Sequence, residues 1–233
     1  MQTLGRAFAD ALELLWNMDS AVLEIVGLTL QVTLVALTIA LLIGIPIGAA
    51  IGLARRLPGR AFLVPLIYTG MGLPPVVVGL FTYLLLSNQG PIGGLGWLFT
   101  PAGMIMAQTI IAFPLVLGLT MAAVQSVDPD LPIQMRALGA TRRQVALTTL
   151  VESRIGVTAA VVAAYGSIIS EVGAVMLVGG NIEGETRVLT TAIVLETRKG
   201  NFALALALGI ILLGLAFLTN LLFHRLQVRQ GGP

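Results

Sequence analysis

The side chains that most often perform chemistry in proteins are scarce in this sequence. The chain contains no cysteine, which excludes disulfides, thiolate metal sites and a cysteine nucleophile. Its single histidine, His224, stands near the C-terminus without a second histidine to share a zinc ion. The nucleotide-binding pattern Gly, four residues, Gly-Lys-Ser/Thr is absent, and Lys199 is the single lysine. We therefore predict no catalysis, no ATP hydrolysis and no metal site on this chain.

Two charged residues stand where a charge could contact a solute. Glu171 is the one acidic residue well inside a long apolar run, and a carboxylate there is costly enough to suggest a function. It either accepts hydrogen bonds within the subunit or lines a path across it. Arg187 follows that run, and its guanidinium could bind an anion or pair with Glu183 or Glu185. Two hydroxyl residues that could line the same path follow in the sequence: Thr190 and Thr191.

The composition is that of a membrane protein. Of 233 residues, 57% are apolar and 10% are charged, whereas a soluble domain carries roughly a quarter charged residues. The net charge of +2 is too small to indicate a nucleic-acid partner. Apolar runs of roughly 17 residues or more can cross a bilayer as helices, and the longer ones do so with tilt. Five runs qualify: Ile25–Leu53, Ala61–Leu86, Ala102–Val124, Ile155–Val178 and Phe202–Phe223.

The basic residues predict the orientation of these crossings. With five crossings, nine of the thirteen Lys and Arg residues fall on one side of the membrane and four on the other. The positive-inside rule then places the N-terminus outside and the C-terminus in the cytoplasm. We expect an amphipathic extracytoplasmic segment over residues 1–24, a transmembrane domain over residues 25–223 and a cytoplasmic tail over residues 224–233.

Small residues recur every three or four positions in two of the runs, which allows close helix packing. Packing within one subunit is the favoured interpretation, and a dimer seam or a pore wall is the alternative. The first stripe is Gly44, Gly48 and Gly52; the second is Ala159, Ala163, Gly166, Ser170 and Gly173.

The second run contains the adjacent residues Pro74 and Pro75, followed by Val76, Val77 and Val78. Two prolines remove two backbone donors and forbid a regular helix. In a membrane, the backbone groups freed at such a break must be buried in protein or face a water-filled path. The segment is therefore either a structural kink or a moving gate.

Residues 125–154 are the most polar part of the chain. Asp128 and Asp130 flank a proline before a short predicted helix, and Gly139 is expected to end that helix. A second helix should begin at Arg142. The result is a helix-turn-helix knob in the cytoplasm that could be a lid, a connector or a docking surface.

This knob resembles the coupling loop of the permeases of ABC importers. In that family a Glu-Ala-Ala, three residues, Gly pattern inserts into the ATPase subunit, and Gly139 matches the glycine. The resemblance assigns the loop contact to these residues: Asp128, Asp130, Arg136, Ala137, Leu138, Gly139, Ala140 and Thr141.

Two further segments resemble the molybdate and tungstate permeases, and the tungstate type most closely. One is the proline pair with its three valines; the other is a signature that contains Glu171, Gly173, Gly180 and Asn181. The resemblance implies a homodimer in a prokaryotic plasma membrane, paired with two ATP-binding cassette subunits and an extracytoplasmic oxyanion-binding protein. ATP and magnesium would bind the ATPase partner, and no cofactor would bind this chain.

We therefore predict an all-α integral membrane protein with five transmembrane helices and the type I ABC importer permease fold. Its function would be to form the path of an ATP-driven tungstate importer by alternating access, with molybdate, or both oxyanions, as the alternative substrate. A secondary transporter and a membrane scaffold or enzyme are rivals from other classes. A secondary transporter usually has inverted repeats, which are not visible in this sequence. A membrane scaffold or enzyme would not explain the polar loop over residues 125–154.

Overall fold

In the computed structural model, residues 5, 10–14, 20–54 and 57–230 are described, and within those ranges the chain is helical without strands. Residues 10–14 are helical, but most of the predicted amphipathic segment lies outside the described residues. The helices are α1 (Ser20–Leu53), α2 (Arg60–Met71), α3 (Pro75–Leu86), α4 (Pro101–Gln125), α5 (Leu131–Ala137), α6 (Arg142–Glu152), α7 (Arg154–Ile169), α8 (Gly173–Gly179), α9 (Leu189–Lys199) and α10 (Phe202–Gln230).

Three of these helices are individually long and apolar enough to cross a membrane: α1, α4 and α10. Two pairs, α2 with α3 and α6 with α7, meet the same requirement only when each pair is joined across a bend. The described helices thus provide three crossings, or five if each bent pair is one span. The all-helical membrane class predicted from composition is confirmed.

The fourth predicted crossing differs from the structure. The sequence predicts one continuous run over Ile155–Val178, but α7 ends at Ile169 and a separate short helix, α8, begins at Gly173. The Glu171 side chain explains the interruption, because its Oε1 accepts a hydrogen bond from the Ala174 amide at 2.9 Å. A carboxylate in that position satisfies an amide of a new helix start.

The described chain forms two compact units. The first comprises Met1–Ala36, Pro74–Gln108 and Ile168–Asn220. Among its described residues, one core cluster joins α1 to α9 and α10 through Val22, Leu189 and Leu208. Another joins α1, α4 and α8 through Val32, Met104 and Val175. Both clusters are aliphatic side chains with no polar atom to satisfy.

The second unit comprises Leu37–Leu73, Thr109–Ser167 and Leu221–Pro233. Its core includes the contact of α2 with α4 through Ile67, Leu117 and Met121. The glycine stripe of α1 packs on α4 in the same unit. A Cβ at Gly48 would lie 2.5 Å from the Leu117 carbonyl oxygen, so only glycine permits this approach.

Candidate functional site

The predicted cytoplasmic knob is present as α5, a tight turn and α6. The Asp128 Oδ1 accepts the Asp130 amide at 2.9 Å, and this bond orders the chain before α5. After α5 the chain turns at Gly139, whose φ of +87° lies in the left-handed region that favours glycine. Leu138, which precedes it, is 88% exposed.

A capping box begins the second helix of the knob. The Gln144 amide donates to the Thr141 hydroxyl at 3.3 Å, and the Gln144 Oε1 accepts the Thr141 amide at 2.8 Å. Such reciprocal bonds satisfy two amides that the helix itself leaves free. α5 and α6 contact each other. Local bonds therefore hold an exposed turn, which spans Ala137 to Thr141, in one conformation.

The proline pair breaks the helix where the sequence predicts it. α2 ends at Met71, and α3 begins at Pro75, which occupies a position that tolerates proline. The amides of Val77 and Val78 both donate to the Pro74 carbonyl, at 2.9 and 3.3 Å. Val76 and Val77 are exposed on α3, whereas Val78 is buried. Val78 therefore packs in the interior, whereas Val76 and Val77 lie on an open face of α3.

Glu171 connects three segments of the first unit. Its carboxylate accepts the Ala174 amide, and its backbone carbonyl accepts the Thr190 hydroxyl at 2.8 Å. The residue is 9% exposed. Gly173 is needed beside it, because a Cβ there would lie 2.6 Å from Val76 on α3. These bonds agree with the first interpretation of Glu171, in which it accepts hydrogen bonds within the subunit.

The loop from Gly179 to Val188 is organised by Thr186. Its hydroxyl donates to the Gly179 carbonyl at 2.6 Å and accepts the Ile182 amide at 2.9 Å. Gly180 and Asn181 both have positive φ, +74° and +56°. The two signature residues therefore form a tight turn, which asparagine tolerates better than most other side chains.

Arg187 lies at the end of this loop with its side chain mostly buried. Its Nη1 is 3.3 Å from the Glu183 Oε2, and the Glu183 side chain is 83% exposed. The Arg187 Nε is buried and has no hydrogen-bond partner among the described residues. Of the two partners considered for Arg187, Glu183 is the one observed. Because the Glu183 carboxylate is exposed to solvent, this ion pair contributes little stability.

The two threonines after Arg187 are buried and bonded within the chain. The Thr190 hydroxyl donates to Glu171, and the Thr191 hydroxyl accepts the Val188 amide at 3.1 Å, which begins α9. A third threonine, Thr29 on α1, accepts the Leu189 amide at 2.9 Å. These hydroxyls fix the start of α9 against α1 and against the turn that precedes α8.

A polar cluster at the end of α9 was not foreseen as a site. Glu196 accepts Lys199 Nζ at 2.8 Å and Asn201 Nδ2 at 3.0 Å, although its side chain is almost fully buried. The hydrogen bond from Lys199 lowers the pKa of Glu196 most strongly, and burial opposes that shift. The i, i+3 spacing of Glu196 and Lys199 was the available sequence signal.

Among the described residues, no group of three or more His, Cys, Asp or Glu side chains is placed to hold a metal ion. The candidate elements are instead the knob, the proline break with the Glu171 turn, and the loop that ends at Arg187.

Residues 44–231 match the family described as the inner membrane component of binding-protein-dependent transport systems. The chain belongs to this family. It is a multi-pass inner-membrane permease of the ABC transporter class, as predicted.

Individual relatives agree with this assignment. The permease is 47% identical over 179 residues to a probable anion ABC transporter permease protein of Haloferax volcanii, covering 75% of this chain and 77% of that one. It is 37% identical to a tungstate uptake system permease protein of Peptoclostridium acidaminophilum, over 97% of this chain and 99% of the relative. The predicted resemblance to tungstate-type permeases is confirmed.

A solved structure confirms the type I importer permease fold. The permease matches a chain of the MetNI methionine ABC transporter in an inward-facing conformation with a TM-score of 0.74. The match covers 91% of this chain and 96% of the other, at 18% identity. At 18% identity, the match supports a conclusion about the fold and about nothing else.

Proposed function

We propose that this permease forms the membrane path of an ATP-driven tungstate importer. The observation that carries the proposal is the near full-length similarity to a tungstate uptake permease. Molybdate is the alternative substrate, because the two oxyanions have nearly the same size and charge. The described residues offer few cationic groups inside the membrane, so selection would rest mainly with a separate capture protein.

Two copies of the chain would enclose the path. A face of α3 supports this arrangement, because large apolar side chains remain exposed at one-turn intervals: Val76, Val77, Leu80, Phe81 and Leu84. We propose Pro74, Pro75 and the three valines as the gate, with residues 25–223 as the transmembrane domain. The N-terminal segment would lie outside and the tail in the cytoplasm.

Arg187 would contact the delivered anion at the extracytoplasmic end of that path. Its burial and its single exposed partner support this role, since an oxyanion could replace the Glu183 carboxylate at the guanidinium. Thr190 and Thr191 would hold the surrounding loop, and Glu171, Gly173, Gly180 and Asn181 would maintain its shape. A carboxylate in the path itself would repel a dianion.

The knob would transmit ATP-driven motion to the path. Two ATPase subunits bind ATP and magnesium, close, and carry the knobs with them, so that the path opens outward by alternating access. Hydrolysis then resets it. The exposed Leu138 beside the fixed Gly139 turn supports this contact, because an apolar side chain that is 88% exposed gains by burial in a partner.

Elemental analysis of cells tests the substrate. A strain that lacks this gene and its parent are grown with equal trace tungstate and molybdate, and both metals are measured by mass spectrometry. Loss of tungsten alone is the expected result, and loss of both metals would establish the broad alternative. Unchanged contents of both would overturn the oxyanion assignment.

Copurification tests the ATPase contact separately. Leu138→Asp should remove a stoichiometric ATP-binding subunit from the transporter purified in mild detergent. Leu95→Asp is the control, because Leu95 is 51% exposed in a loop that the predicted orientation places on the opposite face. Retention of the ATPase subunit by both variants would remove Leu138 from the contact.

A further inference from the structure

A cavity of about 500 Å³ lies within the second unit, beside the first helix of the knob. It is formed where α1 and α4 end, where α2 begins, and along α5. One part of its lining is apolar and includes Leu53, Val124 and Ile133. The other part is charged and contains Arg60, Arg136 and Asp128.

Arg60 is held in a fixed position at this cavity. Its Nη1 donates to the carbonyls of Ile51 and Ala54, at 3.2 and 2.6 Å, and so satisfies the end of α1. A guanidinium has five N–H donors, and these two bonds use one nitrogen. The remaining edge of Arg60 is available to a second acceptor without loss of the helix cap.

Arg136 supplies a second guanidinium. It is exposed, and no hydrogen bond or ion pair to another described residue is found for it. Asp128, the acidic residue of the lining, accepts a bond from the Asp130 amide instead. The lining therefore carries two positive charges against one negative charge, and one of the cations lacks a protein partner within the described chain.

We propose that this cavity binds a phosphate oxyanion, and that the source is the headgroup of an anionic glycerophospholipid. Both arginines line the cavity, and a guanidinium is a preferred partner of phosphate oxygens. The apolar part of the lining favours a lipid over free phosphate, because it can accept the first carbons of the acyl chains. Basic pockets near the ends of membrane helices bind anionic headgroups in the same way.

Because the cavity lies next to α5, a bound lipid would affect how the knob is attached to the membrane-spanning helices. A bound headgroup would connect the end of α1, through Arg60, with Arg136 in the last turn of α5. The knob would then be held to the membrane-spanning helices by the lipid as well as by the chain. This inference does not depend on which anion is transported.

Native mass spectrometry of the purified full transporter tests the site with defined lipids. Binding of dioleoyl phosphatidylglycerol, which is anionic, is compared with binding of dioleoyl phosphatidylcholine. The choline cation of the second lipid neutralises its phosphate. We expect the anionic lipid to bind wild type about tenfold more tightly. Arg136→Ala should weaken that binding about tenfold, while Arg143→Ala, an exposed arginine outside the cavity, should leave it unchanged.

Asp128→Asn provides a test that misfolding cannot imitate. It removes the negative charge but keeps the oxygen that accepts the Asp130 amide, so phosphatidylglycerol should bind about threefold more tightly. Equal loss in the two arginine variants, or no gain in Asp128→Asn, would overturn the site. Inorganic phosphate is tested alone in parallel. If it binds with the same dependence on Arg136 while the lipid does not, the lipid source is overturned.

Discussion

The small-residue stripes of α1 and α7 look alike in the sequence but differ in the structure. On α1, a Cβ at Gly44, Gly48 or Gly52 would lie 2.5 to 2.8 Å from an atom of α4. On α7, Ala159, Ala163 and Gly166 are exposed, and a Cβ at Gly166 would meet nothing within 4 Å. The first stripe is filled by the chain itself, and the second is open.

The difference teaches that spacing alone does not determine what a stripe packs against. Packing within one subunit, the favoured prediction for both stripes, is confirmed on α1 and wrong for the exposed positions on α7. Ser170 and Gly173 lie beyond the end of α7, and Gly173 packs within the subunit, since a Cβ there would lie 2.6 Å from Val76. The open face of α7 is available to a second copy of the chain or to the transport path.

The largest effect is expected from filling the closed stripe. Gly48→Ala places a methyl group against the Leu117 carbonyl oxygen, which is backbone and cannot rotate away. Such overpacking costs about 3 kcal/mol in the free energy of unfolding. The melting temperature of the purified transporter should therefore fall by roughly 6–12 °C.

Gly166→Ala is the matched control for that experiment. The added methyl group meets open space on α7, and alanine is the better helix former. Its melting temperature should equal or slightly exceed that of wild type. A similar fall in both variants would mean that the two stripes are equally closed in the assembled transporter.

The next effect concerns the open face of α7. Gly166→Leu should reduce tungsten accumulation about tenfold, because a large side chain blocks an open face that two copies or a path require, whereas a Cβ at Gly166 meets nothing within the chain itself. Gly214→Leu is the comparison, since Gly214 is exposed on α10 and its Cβ also meets nothing. Normal uptake by Gly166→Leu would place the open face of α7 against lipid.

Single cysteines test the same face with a smaller perturbation. The chain has no native cysteine, so every cross-link reports the introduced residue. Ala163→Cys is exposed on α7 and should form covalent dimers with a short bifunctional maleimide, whereas Ala160→Cys, 0% exposed, should not. If Ala163→Cys reacts with a monofunctional maleimide but never forms dimers, the face does not meet a second copy.

Local sequence signals were sufficient for the knob and the proline break. Proline at a helix start and Gly139 at a turn act within four residues, so their effect is readable without the partner helices. The break at Glu171 was not predicted, because hydropathy continues through it and the decisive bond is between a side chain and an amide. The cavity at Arg60 required segments that are distant in sequence to come together.

The smallest effect tests whether glycine on α1 matters outside the stripe. Gly27 lies on the same helix, but a Cβ there would meet nothing within 4 Å. Gly27→Ala should therefore stabilise the permease by about 0.5–1 kcal/mol, because alanine loses less backbone freedom in a helix. Melting a degree or two above wild type is the expected result. A fall instead would show that α1 is closely packed along its whole length in the transporter. The close packing would then distinguish the whole of α1 from α7, and not only its glycine stripe.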